Sequence, residues 1–186
     1  MNHRIRLLGG ALALLAVGLI APGVASAAEK PVPGSEPAGV SASAATRSKL
    51  YELVTPGSKG FFYSANPAEV RRAVANGFRK TGRDLGYVRV KSATGVVKLY
   101  RLRSKARSSY LVTISPTERK RLVDSGTFAY EGVIGHTSKA SGSTRFQLFR
   151  VSKSGSWRVT NRALARQLKQ QGWHVDGSLG HISKTR

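Results

Sequence analysis

Leu99-Tyr100-Arg101-Leu102, a basic polar loop, Tyr110-Leu111-Val112-Thr113, Ser115-Pro116-Thr117-Glu118, an amphipathic run to Gly126, Glu131-Gly132 and Ile134-Gly135-His136 follow one another in mid-chain. The same order runs upstream through Leu50-Tyr51-Glu52-Leu53, Phe61-Phe62-Tyr63-Ser64, Asn66-Pro67-Ala68-Glu69, Gly77, Thr81-Gly82 and Leu85-Gly86-Tyr87. Downstream it gives Phe146-Gln147-Leu148, Trp157-Arg158-Val159-Thr160, Asn161, Gly172, Asp176-Gly177 and Leu179-Gly180-His181. Gly77 and Gly126 are 49 residues apart, Gly126 and Gly172 are 46 apart, and a nearly fixed period marks an internal repeat.

Each copy carries the signals of strand, strand, helix, strand. Tyr51 and Leu53 alternate with Glu52 as a half-buried strand requires, and Phe61-Phe62-Tyr63 supplies its hairpin partner across the turn residues Thr55-Pro56-Gly57-Ser58. Asn66-Pro67-Ala68-Glu69 starts a helix: a capping side chain, proline at the first helical position, and a glutamate placed to reach back to the cap's amide. Val70, Ala73 and Val74 form its apolar face and Gly77 ends it. Ser115-Pro116-Thr117-Glu118 repeats the cap, whereas in the third copy Asn161 remains and Leu164 replaces the glutamate. A unit this small cannot bury its apolar faces alone. The expected fold is therefore α+β, with three strand-strand-helix-strand repeats (residues 49–91, 98–139 and 145–184) packed as a closed pseudo-threefold domain.

Arg4 and Arg6 precede an apolar run from Leu7 to Ile20 and then Ala25-Ser26-Ala27, the pattern of a secretory signal peptide over residues 1–27. Residues 28–48, rich in Pro, Gly, Ser and Ala, read as a flexible linker ahead of a single domain at 49–186. No second long apolar stretch follows, so the expectation is a secreted, extracellular protein with no transmembrane segment. The absence of cysteine excludes disulfides, thiol nucleophiles and thiolate metal sites.

The chain has a formal charge of +22, and from residue 48 onward the balance is +20. Such a field speeds encounters with polyanions and points to nucleic acid, acidic cell-wall polymer, an anionic membrane surface or an acidic protein. Its sharpest local expression is Arg101, Arg103, Lys105 and Arg107, every second residue, opposite Tyr100 and Leu102. On an extended backbone those four cations stand about 6.6 Å apart, a spacing that follows phosphates or sulfates or guards a sheet edge. Tyr110 and Trp157, with Phe61 at the equivalent place, are candidate stacking residues. His136 and His181, with Tyr87, each follow glycine at equivalent positions and are candidate ligand contacts.

No catalytic residue, metal site or cofactor is assigned. Glu69 and Glu118 recur in fixed places, but capping explains them without catalysis. Glu131 and Asp176, with Thr81 at the matching place, each precede a glycine, where an acid balances local arginine charge. His174-Val175-Asp176 with His181 offers metal-compatible atoms at a spacing that fits no familiar metal motif.

These residues resemble a repeat domain of unknown function found in secreted bacterial and some fungal proteins, often beside hydrolase or lectin-like modules. Tyr100-Arg101-Leu102, Thr113, Ser115, Glu118-Arg119, Leu122, Gly126 and Glu131-Gly132 carry the likeness best. The first copy keeps Pro56, Phe62-Tyr63, Glu69, Gly77-Phe78 and Gly82, and the third keeps Leu148, Thr160, Leu168, Gly172-Trp173 and Gly177. The family's histidine at the start of the second strand is replaced here by Phe61, Tyr110 and Trp157. The resemblance implies an accessory binding role and no particular reaction. The expected function is a secreted, non-enzymatic module binding an anionic polysaccharide or cell-wall polymer. Alternatives are a small secreted hydrolase or toxin acting on nucleic acid or cell wall, and an adaptor for a secreted protein partner.

Overall fold

In the computed structural model, which describes residues 46–186, the long alternating runs of the second and third segments become long antiparallel strands. In the first segment these are β1 (Arg47–Lys49), β2 (Tyr51–Val54), β3 (Phe61–Ser64), α1 (Pro67–Ala75), β4 (Arg79–Lys80) and β5 (Tyr87–Arg89). The second contributes β6 (Val96–Ser104), β7 (Tyr110–Thr113), α2 (Pro116–Asp124) and β8 (Phe128–Ser138). The third contributes β9 (Arg145–Lys153), β10 (Ser156–Asn161), α3 (Arg162–Gln170) and β11 (His174–Ser183). The residues read as signal peptide, and the linker up to residue 45, lie outside the described part. The linker's last residues do not stay free, since β1 pairs with β5.

The expected α+β domain of three equivalent units closed about a pseudo-threefold axis is not what forms. Among the described residues the protein is mostly β, with three helices and two antiparallel sheets of unequal size. An eight-stranded sheet runs β10-β9-β11-β5-β8-β6-β7, with β1 added on β5 and a further contact between β11 and β8. The smaller sheet is β3-β2-β4. The reason lies in the first segment, where residues 78–89, the place of the expected last strand of that copy, break into β4 and β5. Thr81–Gly86 carries no strand, and the pieces on either side enter different sheets, whereas β8 continues through eleven residues.

The main core collects Leu50, Tyr63, Leu85, Val88, Leu99, Val112, Leu148, Val159, Leu179 and Ile182. Three smaller clusters seat the helices: Val70 and Ala73 of α1 against Leu53 and Phe62, Leu122 and Val123 of α2 against Leu102 and Phe128, and Ala165 and Leu168 of α3 against Val151. Close strand packing at the centre depends on glycine. A Cβ on Gly135 would lie 2.5 Å from Val88 Cγ2, and one on Gly180 would lie 2.6 Å from Thr137 Oγ1, with Gly180 at φ +86°. Each of these glycines precedes a histidine, and the close approach fixes where that histidine emerges.

Candidate functional site

The helix caps are half as expected. Asn66 accepts from the amides of Ala68 and Glu69, Ser115 from Glu118, and Asn161 from Leu164. The glutamates do not close the box. The Asn66 amide donates to Ser64 Oγ, the Ser115 amide to Thr113 Oγ1, and both glutamates turn to arginines. Arg101 Nη2 donates to Glu69 Oε1 at 2.6 Å, its Nη1 to Glu69 Oε2 at 3.1 Å and to the Tyr63 carbonyl at 2.7 Å, and its Nε to Glu131 Oε2 at 2.8 Å. Arg150 repeats this on Glu118 at 2.9 Å, the Val112 carbonyl at 3.2 Å and Asp176 at 2.7 Å. Such forked, charge-assisted contacts are the strongest polar links available to a protein.

In the first segment the charges are reversed. Glu52, expected to face away from the buried side, is 2% exposed. Arg83, Arg158, Thr81 and the Tyr63 hydroxyl all donate to it. Burial would raise the Glu52 carboxyl, but the hydrogen bond from Arg158 and the charges of Arg83 and Arg158 hold it below the usual carboxylate range. Glu69 and Glu118 behave alike, burial being outweighed by Arg101 with Ser64 in one case and by Arg150 with Thr113 in the other. A general acid must keep its proton near neutral pH, and these carboxyls are tuned the opposite way. The cleft of about 410 Å³ that Glu69, Arg101, Glu131 and His136 line therefore presents acids already paired with arginine.

Arg101 consequently does not stand with Arg103, Lys105 and Arg107 as a free row of cations; it is 5% exposed and makes four hydrogen bonds within the protein. The other three line an open groove of about 450 Å³ with Thr55, Pro56, Phe78, Ser108 and Tyr110. Arg103 leans on Glu131 at 3.3 Å, and Arg107 donates to the Ser154 carbonyl at 2.7 Å. Among the described residues no carboxylate lies within 4 Å of Lys105 or Arg107. Tyr110 packs edge-on against Phe62 at 5.0 Å while lining this groove. Trp157 packs edge-on against Phe128 at 5.4 Å in the α2 cluster, away from it.

His136 and His181 come together. With Tyr87 they line one pocket of about 240 Å³, along with Arg47, Arg89, Arg145, Ser138 and Ser183. No carboxylate is among its lining residues. His136 is 8% exposed, and its Nδ1 donates to the Arg89 carbonyl at 3.4 Å. His174 hydrogen-bonds Asp176 at 3.0 Å but does not line the His181 pocket, so the three metal-compatible residues are not gathered there. Among the described residues no group of three or more His, Asp or Glu is placed to hold a metal ion.

Sequence reading placed Glu131 and Asp176 as acids balancing local arginine charge, as their pairs with Arg101 and Arg150 do, but missed that Glu69 and Glu118 share those arginines, and missed the three arginines of the histidine pocket. The signal for the clusters was present: Arg101 and Arg150 are 49 residues apart, as are Glu69 and Glu118, with Glu131 and Asp176 in step. Residues 34–138, through the end of β8, match the model of a family described as a domain of unknown function (DUF5648). No curated protein and no solved structure matches the chain.

Proposed function

The chain belongs to the DUF5648 family, a domain of unknown function, and from its own residues we propose that it is a secreted, non-enzymatic module binding an anionic polysaccharide or cell-wall polymer. The observation that carries this reading is how the acids are used. The described residues contain seven, and each is ion-paired inside the molecule: Glu52, Glu69, Asp84, Glu118, Asp124, Glu131 and Asp176. Most of the lysines and arginines are left with no internal counter-charge, and an external polyanion is the natural partner for them.

The groove of Arg103, Lys105, Arg107 and Tyr110 is the contact surface, its cations meeting charged groups and its tyrosine meeting sugar faces. Capture is electrostatic, followed by fit of the polymer along the groove. Within this reading the three segments are divergent copies of one sequence unit. The matched arginine clusters at Arg101 and Arg150 support that, with Glu52 and Leu164 as the points of departure in the first and third.

Retention on immobilised acidic wall polymer, heparin and single-stranded oligonucleotide, followed across a salt gradient, tests the proposal. Strong retention at low salt that falls steeply with added salt is expected, with Lys105→Gln plus Arg107→Gln eluting earlier and with a shallower salt dependence. Absent or salt-insensitive retention overturns it. Preference for the oligonucleotide would move the ligand from polysaccharide to nucleic acid.

A further inference from the structure

The pairing of four strands sets basic residues in one line. Arg47 on β1 lies opposite Arg89 on β5, Arg89 lies opposite His136 on β8, and His136 lies opposite Lys98 on β6. Directly paired residues of antiparallel strands share a face with their Cβ atoms about 5 Å apart, and like charges so placed destabilise a sheet. The pocket of about 240 Å³ opens on this line, and β9 and β11 bring Arg145 and His181 to it. Arg145 is steadied by donating to Ser138 Oγ at 3.1 Å and the Ala140 carbonyl at 3.2 Å.

Two of these residues carry a second mark. Arg89 Nε and His181 Nδ1 are buried without a hydrogen-bond partner, a state that costs stability unless something outside the chain completes it. A cationic row, a buried guanidinium N–H lacking a partner and a lining free of carboxylates share one remedy, an anion. The lining arginines come from three strands, β1, β5 and β9, with His136 added from β8 and His181 from β11. Donors arriving from several directions match a tetrahedral oxyanion better than a planar carboxylate. The volume equals that of roughly eight waters, which accommodates such a group and the first atoms of whatever bears it.

We propose that Arg47, Arg89, Arg145, His136 and His181 form a binding site for a single phosphate or sulfate group, free or as a monoester. The site does not depend on the groove: it recognises one compact dianion, whereas the groove follows an extended chain. Arg89 supplies Nε–H directly, Arg47 and Arg145 flank the anion, and the histidines complete the ring of donors.

Titration of the full chain with inorganic phosphate, sulfate and a sugar monophosphate, each against chloride at equal ionic strength, tests this by calorimetry and by amide chemical shifts. Saturable one-site binding is expected for at least one dianion, with shifts centred on Arg89, His136 and His181. The tightest of the three identifies the source of the group. Arg89→Gln and Arg145→Gln should each weaken binding about tenfold or more, while Lys169→Gln at an exposed position of α3 leaves it unchanged. If Arg89→Gln does not fold, Arg145→Gln and the wild-type shifts decide. Non-saturating shifts, shifts matched by chloride, or undiminished binding in a folded Arg89→Gln or Arg145→Gln variant would overturn the site.

Discussion

Arg158 holds Glu52 from 106 residues away, with Nε 3.0 Å from Oε1 and Nη2 3.2 Å from Oε2. This link ties β2, in the small sheet, to β10, at the edge of the large one. Tyr63 strengthens it by donating its hydroxyl to Glu52 and accepting from the Val159 amide at 2.8 Å. Burial, followed by the nearby Glu52 charge, pushes the Tyr63 phenol well above its ordinary value, so it remains a donor at every pH of interest.

Glu52→Ala removes the shared acceptor of Arg83, Arg158, Thr81 and Tyr63 and leaves two half-buried guanidinium groups facing each other. A loss of about 3 kcal/mol in unfolding free energy is expected, measured by urea denaturation. Glu52→Gln keeps part of the hydrogen bonding and should lose less.

Acid should unfold the protein through its clustered carboxylates. Glu52, Glu69, Glu118 and Asp176 are all held below their ordinary values, burial being outweighed by arginine and hydroxyl partners in the glutamates and by His174, then Ser152 and Arg150, in Asp176. The native state therefore binds fewer protons than the unfolded chain in the acid range. Their contribution is fully present above about pH 4.5 and is lost as pH falls through the depressed native values. Thermal midpoints should be flat from pH 7 to about 5 and drop below that. In Glu118→Gln the midpoint at pH 7 should be lower and the acid slope shallower.

Arg101 and Lys105 lie on the same strand and its extension but should fail differently. Arg101→Gln leaves Glu69 and Glu131 without their shared partner, and a loss of about 2–3 kcal/mol is expected by denaturation. Lys105→Gln should leave the denaturation midpoint unchanged and show its effect in polymer retention alone.

Gly180→Ala introduces a Cβ 2.6 Å from Thr137 Oγ1 and 3.0 Å from the Ser138 carbonyl, on backbone at φ +86°. A cost of about 2 kcal/mol or more is expected in thermal or chemical unfolding. Gly82→Ala, with no atom within 4 Å and φ +74°, carries the conformational strain without the collision and should cost less.

What could be read from sequence was what is decided within a few residues. The caps at Asn66, Ser115 and Asn161, and the β2–β3 hairpin, depend on neighbours in the chain and were legible. The alternation around Arg101 correctly separated its face from that of Tyr100 and Leu102. It could not say that the charged face is covered, because its cover, α1 with Glu69, arrives from 32 residues upstream. The same blindness hid the charge reversal at Glu52, which looked like a solvent-facing residue between two apolar ones. Sheet membership failed for a related reason. Whether residues 78–88 make one strand or two depends on where β2 and β11 offer edges, which no local pattern records.

The commitment of every described acid to an internal partner also bears on how the protein behaves across environments. Glu52, Glu69, Glu118 and Asp176, held below their ordinary values by their partners, do not take up protons in mildly acid surroundings, and arginine does not release its own in mildly alkaline ones. The charge of these clusters, and their part of the surface potential, is thus nearly constant from weakly acid to weakly alkaline conditions. Ionic strength, by shortening the reach of that potential, becomes the main control on what the molecule holds and when it lets go.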